Sequence, residues 1–392
     1  MKSNKLISLS VPNLIGNEKK YLEKCINTSM VSSFGKYVNI FEDKLKNFTK
    51  SKNAICCNSG TSAIHLGLRV LGINPGDEVI VPTMSFIATA NSVRYLQANP
   101  IFMDCDDFYN LDVKKTLTFI EKETYFKNGF TYNVKTKKKI KALIIVHVFG
   151  NAADLQSILK VCKKRNIKIL EDAAGALGTR YIKGGLKGKH VGTIGDIGCI
   201  SFNGNKIITT GGGGVLLTND LKLAKKAKYL STTAINDKLN YKHDDIGYNF
   251  RLSNIHAAIG IAQLEKINFF LKKKKTFYEF YTSNLGSSNF LSFDKKPNYA
   301  NNNNWMVSIR LKKHLFKLKS KFLIFLNKNN IEARSIWTPL HLQKKYKKYQ
   351  NYKLYNSIKL FNSSINIPSS TNLKISDLKK VLRIIEIFFK NV

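Results

Sequence analysis

The 392-residue chain has no apolar run of about 18 residues, so no membrane-spanning helix is expected. Its first residues, Met1-Lys2-Ser3-Asn4-Lys5-Leu6, lack the apolar core of a secretory signal, and a cytoplasmic protein is expected. Acidic residues are few: 26 Asp and Glu stand against 64 Lys and Arg, a formal net charge of +38. Arginine is scarce too, and the lysines are spread along the whole chain. Only short clusters form, such as Lys272 to Lys275 and Lys344-Lys345-Tyr346-Lys347-Lys348. Nucleic-acid binders concentrate charge on one element and use arginine forks for phosphates and bases. The charge is therefore read as lysine-rich composition, with no nucleic-acid or membrane partner, although such a field still attracts anionic substrates. None of the six cysteines (Cys25, Cys56, Cys57, Cys105, Cys162 and Cys199) forms a C-x-x-C pair. The seven histidines show no H-x-x-x-H or H-E-x-x-H spacing, so no metal site is expected.

What is present is an alternating pattern. Short apolar runs recur at Ala54–Cys57, Glu78–Val81, Ile101–Asp104, Ala142–Val148, Ile167–Leu170, Ile197–Phe202 and Gly214–Leu217. Several are rich in Val and Ile, as buried strands are. Helical periodicity lies between them, over Thr61–Leu71 and Leu155–Asn166 for example. Strands alternating with helices predict an α/β protein with a mostly parallel, seven-stranded central sheet. The charged segment Glu121–Lys141 carries Asn128-Gly129 and reads as an inserted surface hairpin. Beyond Asn249 the texture changes to helices over Asn254–Ile267 and about Phe269–Asn284. A polar loop containing Asn301-Asn302-Asn303-Asn304 follows, then a strand Trp305–Leu311 and helices over Lys319–Asn329 and Ser376–Phe389. The expected division is a large domain over residues 1–265 and a smaller α+β domain over 266–392.

Three segments carry chemistry. In Asn58-Ser59-Gly60-Thr61-Ser62-Ala63-Ile64 a strand ends, glycine turns the chain, and hydroxyl residues open a helix. Free first-turn N–H groups and a positive dipole end suit a phosphate; read alone, the segment is a plain N-cap. In Ile169-Leu170-Glu171-Asp172-Ala173-Ala174 a carboxylate pair ends a buried strand, where α/β sheets bind ligands. Asp172 there suits a protonated ring nitrogen, or a simple turn or cap. The run Gly195-Asp196-Ile197-Gly198 through Ser201 and Lys206 to Gly214 places a lysine after a strand and before a glycine stretch. A confined lysine loses its proton readily and forms Schiff bases. Among so many lysines, Lys206 alone would read as one more surface residue. A phosphate loop of the form G-x-x-x-x-G-K-[ST] is absent.

In order, these segments resemble the DegT/DnrJ/EryC1/StrS family of sugar aminotransferases. The resemblance extends through Asn74-Pro75-Gly76-Asp77-Glu78-Val79-Ile80-Val81-Pro82, Ser85-Phe86-Ile87-Ala88-Thr89-Ala90-Asn91 and Gly247-Tyr248-Asn249-Phe250-Arg251-Leu252-Ser253-Asn254. It implies an aspartate-aminotransferase-like fold, that of fold-type-I pyridoxal-phosphate enzymes. It implies pyridoxal 5'-phosphate as cofactor, with pyridoxamine phosphate as its second form. Lys206 would form the Schiff base with the cofactor aldehyde, and Asp172 would pair with the pyridinium nitrogen. Phe86 would stack on the ring. Gly60, Thr61, Ser62 and Ser201 would hold the phosphate. Asn249 would reach the phosphate from a neighbouring subunit, so a homodimer with a shared active site is implied. One departure is Gly175, where many members carry Gln or His and some Glu. The resemblance also implies a nucleotide-sugar substrate, with glutamate as amino donor.

A narrower resemblance rests on Phe102-Met103-Asp104-Cys105-Asp106-Asp107, the insert around Phe126-Lys127-Asn128-Gly129, His147-Val148-Phe149-Gly150-Asn151 and Ser201 to Thr210. It points to the branch that aminates carbon 4 of UDP-linked 4-keto-6-deoxy-N-acetylglucosamine, in bacillosamine and legionaminic acid synthesis. A GDP- or dTDP-4-keto-6-deoxyhexose of the perosamine type is the alternative. His341, in Trp337-Thr338-Pro339-Leu340-His341-Leu342-Gln343, resembles a loop near the sugar site and is a candidate substrate contact, or a structural loop histidine. Relatives that act as pyridoxamine-phosphate-dependent sugar dehydratases replace the lysine by histidine, and Lys206 argues against that activity. A non-catalytic regulator would have lost Lys206 or Asp172, and both are present.

Overall fold

The computed structural model describes residues 5–286 and 288–390. The large sheet is built from β1 (Asn53–Cys57), β2 (Glu78–Pro82), β3 (Asn99–Met103), β4 (Thr124–Lys127), β5 (Phe130–Asn133), β6 (Lys139–Val146), β7 (Lys168–Asp172), β8 (Ile197–Ser201) and β9 (Gly214–Thr218). Farther along lie β10 (Leu291–Phe293), β11 (Val307–Leu311), β12 (Arg334–Ser335), β13 (Asn351–Tyr352) and β14 (Ser364–Ile367). The strand order of the large sheet is β1-β9-β8-β7-β6-β2-β3-β13. Neighbours from β8 to β13 pair in parallel, and β9 runs antiparallel between β8 and β1. Each of the seven apolar runs is a strand of this sheet. The sheet has ten strands rather than seven, because the inserted hairpin β4–β5 pairs onto β6 and the two-residue β13 returns from the C-terminal part to extend the β3 edge. Neither addition carries a long apolar run, since a hairpin arm and a two-residue edge bury little.

Helices cover the sheet: α1 (Glu18–Asn27), α2 (Lys36–Thr49), α3 (Gly60–Val70), α4 (Ile87–Tyr95), α5 (Val113–Lys122), α6 (Gln156–Lys164), α7 (Leu221–Ser231) and α8 (Asn254–Glu265). Coverage of both faces explains why β6 and β7 read as nearly continuous apolar runs: a two-sided strand has no solvent face. In α8 the small face Ala257, Ala258, Gly260 and Ala262 is buried and admits α2. A Cβ at Gly260 would stand 2.6 Å from Phe41 Cζ.

A second hydrophobic core collects Phe277, Tyr281, Ile309, Phe322, Ile365, Leu382 and Phe388, with Ile7 from the N-terminal segment. It is enclosed by α9 (Ile267–Leu285), α10 (Lys319–Lys328), α12 (Ile375–Lys390) and the sheet β10-β11-β14-β12, while α11 (Tyr355–Ser363) packs Leu360 and Phe361 into the first core. The fully buried Asp104, just past β3, fastens this half to the large sheet. Its carboxylate accepts the N–H groups of Tyr355, Asn356 and Ser357 at 3.0, 2.9 and 2.8 Å, capping α11. Burial pushes that carboxyl upward, but these amides and Lys115 at 2.5 Å hold it below its ordinary value. Among the described residues, no helix is long and apolar enough to cross a membrane.

Candidate active site

β1, β2, β6, β7 and β8 all point their C-terminal ends to one edge of the sheet. The turns leaving that edge line a cavity of about 480 Å³, within the size range of small-ligand sites. Asp172 ends β7. Lys206 follows β8 in a turn closed by its own N–H donating to the Asn203 carbonyl at 3.0 Å. Gly60 and Thr61 open α3, Ser201 ends β8, and Phe86 precedes α4. All six line this one cavity.

Asp172 is 5% exposed. Thr89 Oγ donates to one carboxylate oxygen at 2.7 Å and the Ala174 N–H to the other at 3.1 Å. Burial raises its pKa, against the pull of those two donors and of Lys206. Among the described residues no ion pair engages this carboxylate, so a protonated ring nitrogen would supply its missing partner. Lys206 shows the complementary shift. Burial lowers its ammonium to about 8, against the opposing charge of Asp172. An amine with that pKa is largely free for nucleophilic or base chemistry in mildly alkaline water.

The other end of the cavity suits an anion. Ser59 is the N-cap of α3, its hydroxyl oxygen accepting the Ser62 N–H at 3.0 Å. Gly60 and Thr61 carry the remaining first-turn N–H groups, which have no partner within the helix. Glycine is required at 60 because a Cβ there would stand 2.7 Å from Ser201 Cβ. Phe86 lines the cavity, 55% exposed, with its ring tilted against that of Trp337 at 6.0 Å between centroids. A flat, phosphate-bearing pyridine aldehyde fits these features: an anion cradle, an unpartnered buried carboxylate, an amine of lowered pKa and an aromatic lid.

Three sequence candidates lie outside the cavity wall. The Ser62 hydroxyl is taken up by Asn58 Oδ1 at 2.6 Å and Ser59 Oγ at 2.8 Å. Asn249 is exposed, its carbonyl accepting from Asn58 Nδ2 at 3.4 Å. His341 sits on Thr83, Nδ1 to Oγ at 2.7 Å, and the loop-histidine reading accounts for these contacts.

Several wall residues carry no role in the motifs above. Thr89 lay inside the quoted Ser85–Asn91 motif, one helical turn from Phe86, a spacing that could have placed it on the same face. His147 follows β6 and is fully buried. Its Nδ1 accepts the Ala153 N–H at 3.1 Å, so the tautomer with the proton on Nε2 donates to Glu171 at 3.0 Å. Glu171 also accepts the Gly192, Ile194 and Gly195 amides, each at 2.7 Å. Burial pushes the Glu171 carboxyl up, but His147 and these amides prevail and hold it below its ordinary value. The two halves of the carboxylate pair thus differ: Glu171 braces the loop after β7, and Asp172 faces the cavity. Trp305, which the sequence showed only as the start of a strand, stands against both Gly175 and Lys206.

Residues 12–386 match the DegT/DnrJ/EryC1/StrS aminotransferase family. The chain is 37% identical to the GDP-perosamine synthase of Escherichia coli O157:H7 over 88% of its own length and 89% of that protein. It is 30% identical to the UDP-4-amino-4,6-dideoxy-N-acetyl-beta-L-altrosamine transaminase of Campylobacter jejuni, over 88% and 86% of the two chains. Helicobacter pylori PseC, an aminotransferase involved in the biosynthesis of pseudoaminic acid, superposes with a TM-score of 0.89 at 25% identity, covering 99% of this chain and 100% of that one. A match over nearly the whole chain, on an α/β fold of the same shape, leads to one conclusion: the protein belongs to the DegT/DnrJ/EryC1/StrS aminotransferase family and is a pyridoxal-phosphate-dependent sugar aminotransferase.

Proposed function

We propose that the enzyme transfers an amino group from glutamate to the ketone of a nucleotide-linked 4-keto-6-deoxy sugar, acting as a homodimer. The observation that carries this reading is that Lys206 and Asp172 open into one cavity whose far end is the anion-accepting start of α3. Bound there, pyridoxal phosphate supplies an electrophilic carbon for amines and a ring that spreads the electron pair left by a departing proton. The rest falls to the chain. Asp172, fixed by Thr89 and Ala174, keeps the ring nitrogen protonated. The amides of Gly60 and Thr61 and the hydroxyls of Thr61 and Ser201 would hold the phosphate. Phe86 covers the ring and excludes water. Lys206 Nζ takes the proton from Cα of glutamate; in the return half it delivers a proton to the sugar carbon that bore the ketone.

For the sugar, UDP-4-keto-6-deoxy-N-acetylglucosamine is the expectation from the motifs. The likeness to GDP-perosamine synthase favours a second reading, a GDP-linked 4-keto-6-deoxyhexose. Incubating the enzyme with glutamate and a panel of UDP-, GDP- and dTDP-linked 4-keto sugars, with mass detection of amino-sugar products, separates the two. Absence of an amine product from every 4-keto sugar in the panel would end the proposal.

A further inference from the structure

Trp305 is one of two tryptophans in the chain and is 2% exposed. Hydrogen bonds at its ring and at both its backbone groups fix it. Its indole N–H donates to the carbonyl of Asn205, the residue before the lysine, at 2.6 Å. Its backbone N–H donates to Asn303 Oδ1 at 2.9 Å, and the Asn303 amide nitrogen donates to the carbonyls of Gly175 and Leu177, each at 2.9 Å. Its carbonyl accepts from the buried Lys274 Nζ at 2.8 Å. The benzo edge of the indole fills the place where residue 175 would carry a side chain. A Cβ there would stand 2.2 Å from Cε3 and 2.5 Å from Cζ3. The Lys206 Nζ rests 3.7 Å from the ring centroid.

We propose that Trp305 is a positioning residue for Lys206, its indole occupying the space left by Gly175 and presenting a flat face that aims the Lys206 amine into the cavity. This rests on the reading of Lys206 as the residue that captures the cofactor aldehyde. A lysine side chain has several rotatable bonds, and a free amine at its end samples many positions. The indole restricts that search in both protonation states. The ammonium is drawn to the ring's negative face, well inside the range of a cation–π contact. The neutral amine keeps the packing of its methylene stem on the same surface. The N–H bond to Asn205 fixes the turn that carries the lysine, so ring and lysine move together. A side chain at 175 and an indole at 305 exclude one another, which accounts for the glycine at 175.

The test uses cofactor-stripped full-length protein and two probes. Pyridoxamine phosphate has the ring and phosphate but no aldehyde, so its Kd reads the cradle alone. Pyridoxal phosphate followed by borohydride reduction, with the modified peptide identified by mass, reads delivery of the Lys206 amine. In Trp305→Leu we expect capture at Lys206 to slow by about tenfold or more, with the pyridoxamine phosphate Kd changed less than about threefold. Gly175→Ala opens no cavity, but its methyl displaces the indole, and it should slow capture in the same way. The double variant Gly175→Ala/Trp305→Leu should then be no slower than Trp305→Leu alone, because both lesions act through one ring. Trp305→Phe, which keeps a ring face and loses the N–H, should fall between parent and Trp305→Leu. A purely structural tryptophan would weaken both probes together, and that result overturns the proposal. So does capture at the parent rate in both Trp305→Leu and Gly175→Ala. Capture by the parent at a lysine other than 206 overturns both this inference and the reading beneath it.

Discussion

Two side chains lining one cavity, Lys206 and Asp172, have their protonation preferences shifted by the same cause, burial. For Lys206 the consequence is measurable before any sugar is added. Attack on an aldehyde needs the neutral amine, and burial brings that form within reach at about 8 instead of the ordinary 10.5. The rate of pyridoxal phosphate capture by the stripped enzyme should therefore climb through pH 8 and level off above it. A rate still climbing toward pH 10.5 would show that the amine is an ordinary solvated lysine. In the proposed reaction Asp172 acts through charge rather than bonding. Asp172→Asn keeps the shape and a hydrogen bond to Thr89 but removes the charge that holds a proton on the ring nitrogen. Transamination should fall by about a hundredfold or more, while cofactor still becomes attached to Lys206. Near-parent turnover in that variant would remove Asp172 from the chemistry. Both residues were legible in the sequence because their neighbours were. Strand, turn and glycine signals surround each, and Lys206 without them would have been one basic residue among 64.

Legibility was uneven among the elements. The seven apolar strands and helices such as α8, α9, α10 and α12 declared themselves because each buries a face large enough to impose a period on the sequence. The hairpin turn at Asn128-Gly129 was equally plain, and both residues take the positive φ, 49° and 78°, that such a turn demands. Asn301 to Asn304 misled. Four asparagines read as a polar loop, but Asn301 pairs with Arg180 in a short strand, and of the irregular remainder Asn303 and Asn304 are 3% and 7% exposed. Asn303 spends its amide on the Gly175, Leu177 and Trp305 backbones, contacts between distant parts of the chain that no local pattern encodes. Lys274 in α9 misled in the same way. It sits in a run of four lysines, but its own ammonium is buried on the Trp305 carbonyl at 2.8 Å and Ser369 Oγ at 3.2 Å. Burial lowers it to about 7. Between pH 7 and 10.5 the unfolded chain holds more protons at this site than the folded one, so its contribution to stability grows as pH rises across that window. Lys274→Met abolishes that growth and leaves the Trp305 carbonyl short of a donor. Near pH 10 the variant should be less stable by about 1–3 kcal/mol, with the gap narrowing toward pH 7. Denaturant melts at several pH values check this, and a gap independent of pH would show that Lys274 is not titrating in the fold.

A single chain leaves part of its surface unexplained. Phe34, Leu239, Tyr241 and Ile246 are 71%, 88%, 78% and 78% exposed, an unusual load of large apolar side chains for a free surface. The Phe34 segment meets the start of α8, where the Asn254 N–H donates to the Ser32 carbonyl at 2.6 Å, and Leu239, Tyr241 and Ile246 lie in the stretch of chain that leads into α8. Asn249 lies five residues before Asn254, exposed and outside its own chain's cavity wall. A second copy covering this face would bury the apolar residues and bring each Asn249 toward the partner's phosphate cradle, as the proposed dimer requires. Each active site would then draw Lys206 from one chain and Asn249 from the other. Two inactive variants should in that case repair one another. In a mixed dimer of Lys206→Ala with Asn249→Ala, one site collects both lesions and the other collects neither. If subunits exchange at random, half the dimers are mixed, so the mixture should recover about a quarter of parental activity. The recovery should appear only after the chains are unfolded and refolded together, and size measurement should report a dimer throughout. A mixture no more active than its components would place Asn249 and Lys206 in sites that do not cross the interface. The apolar face around Phe34 and Tyr241 would then need another occupant.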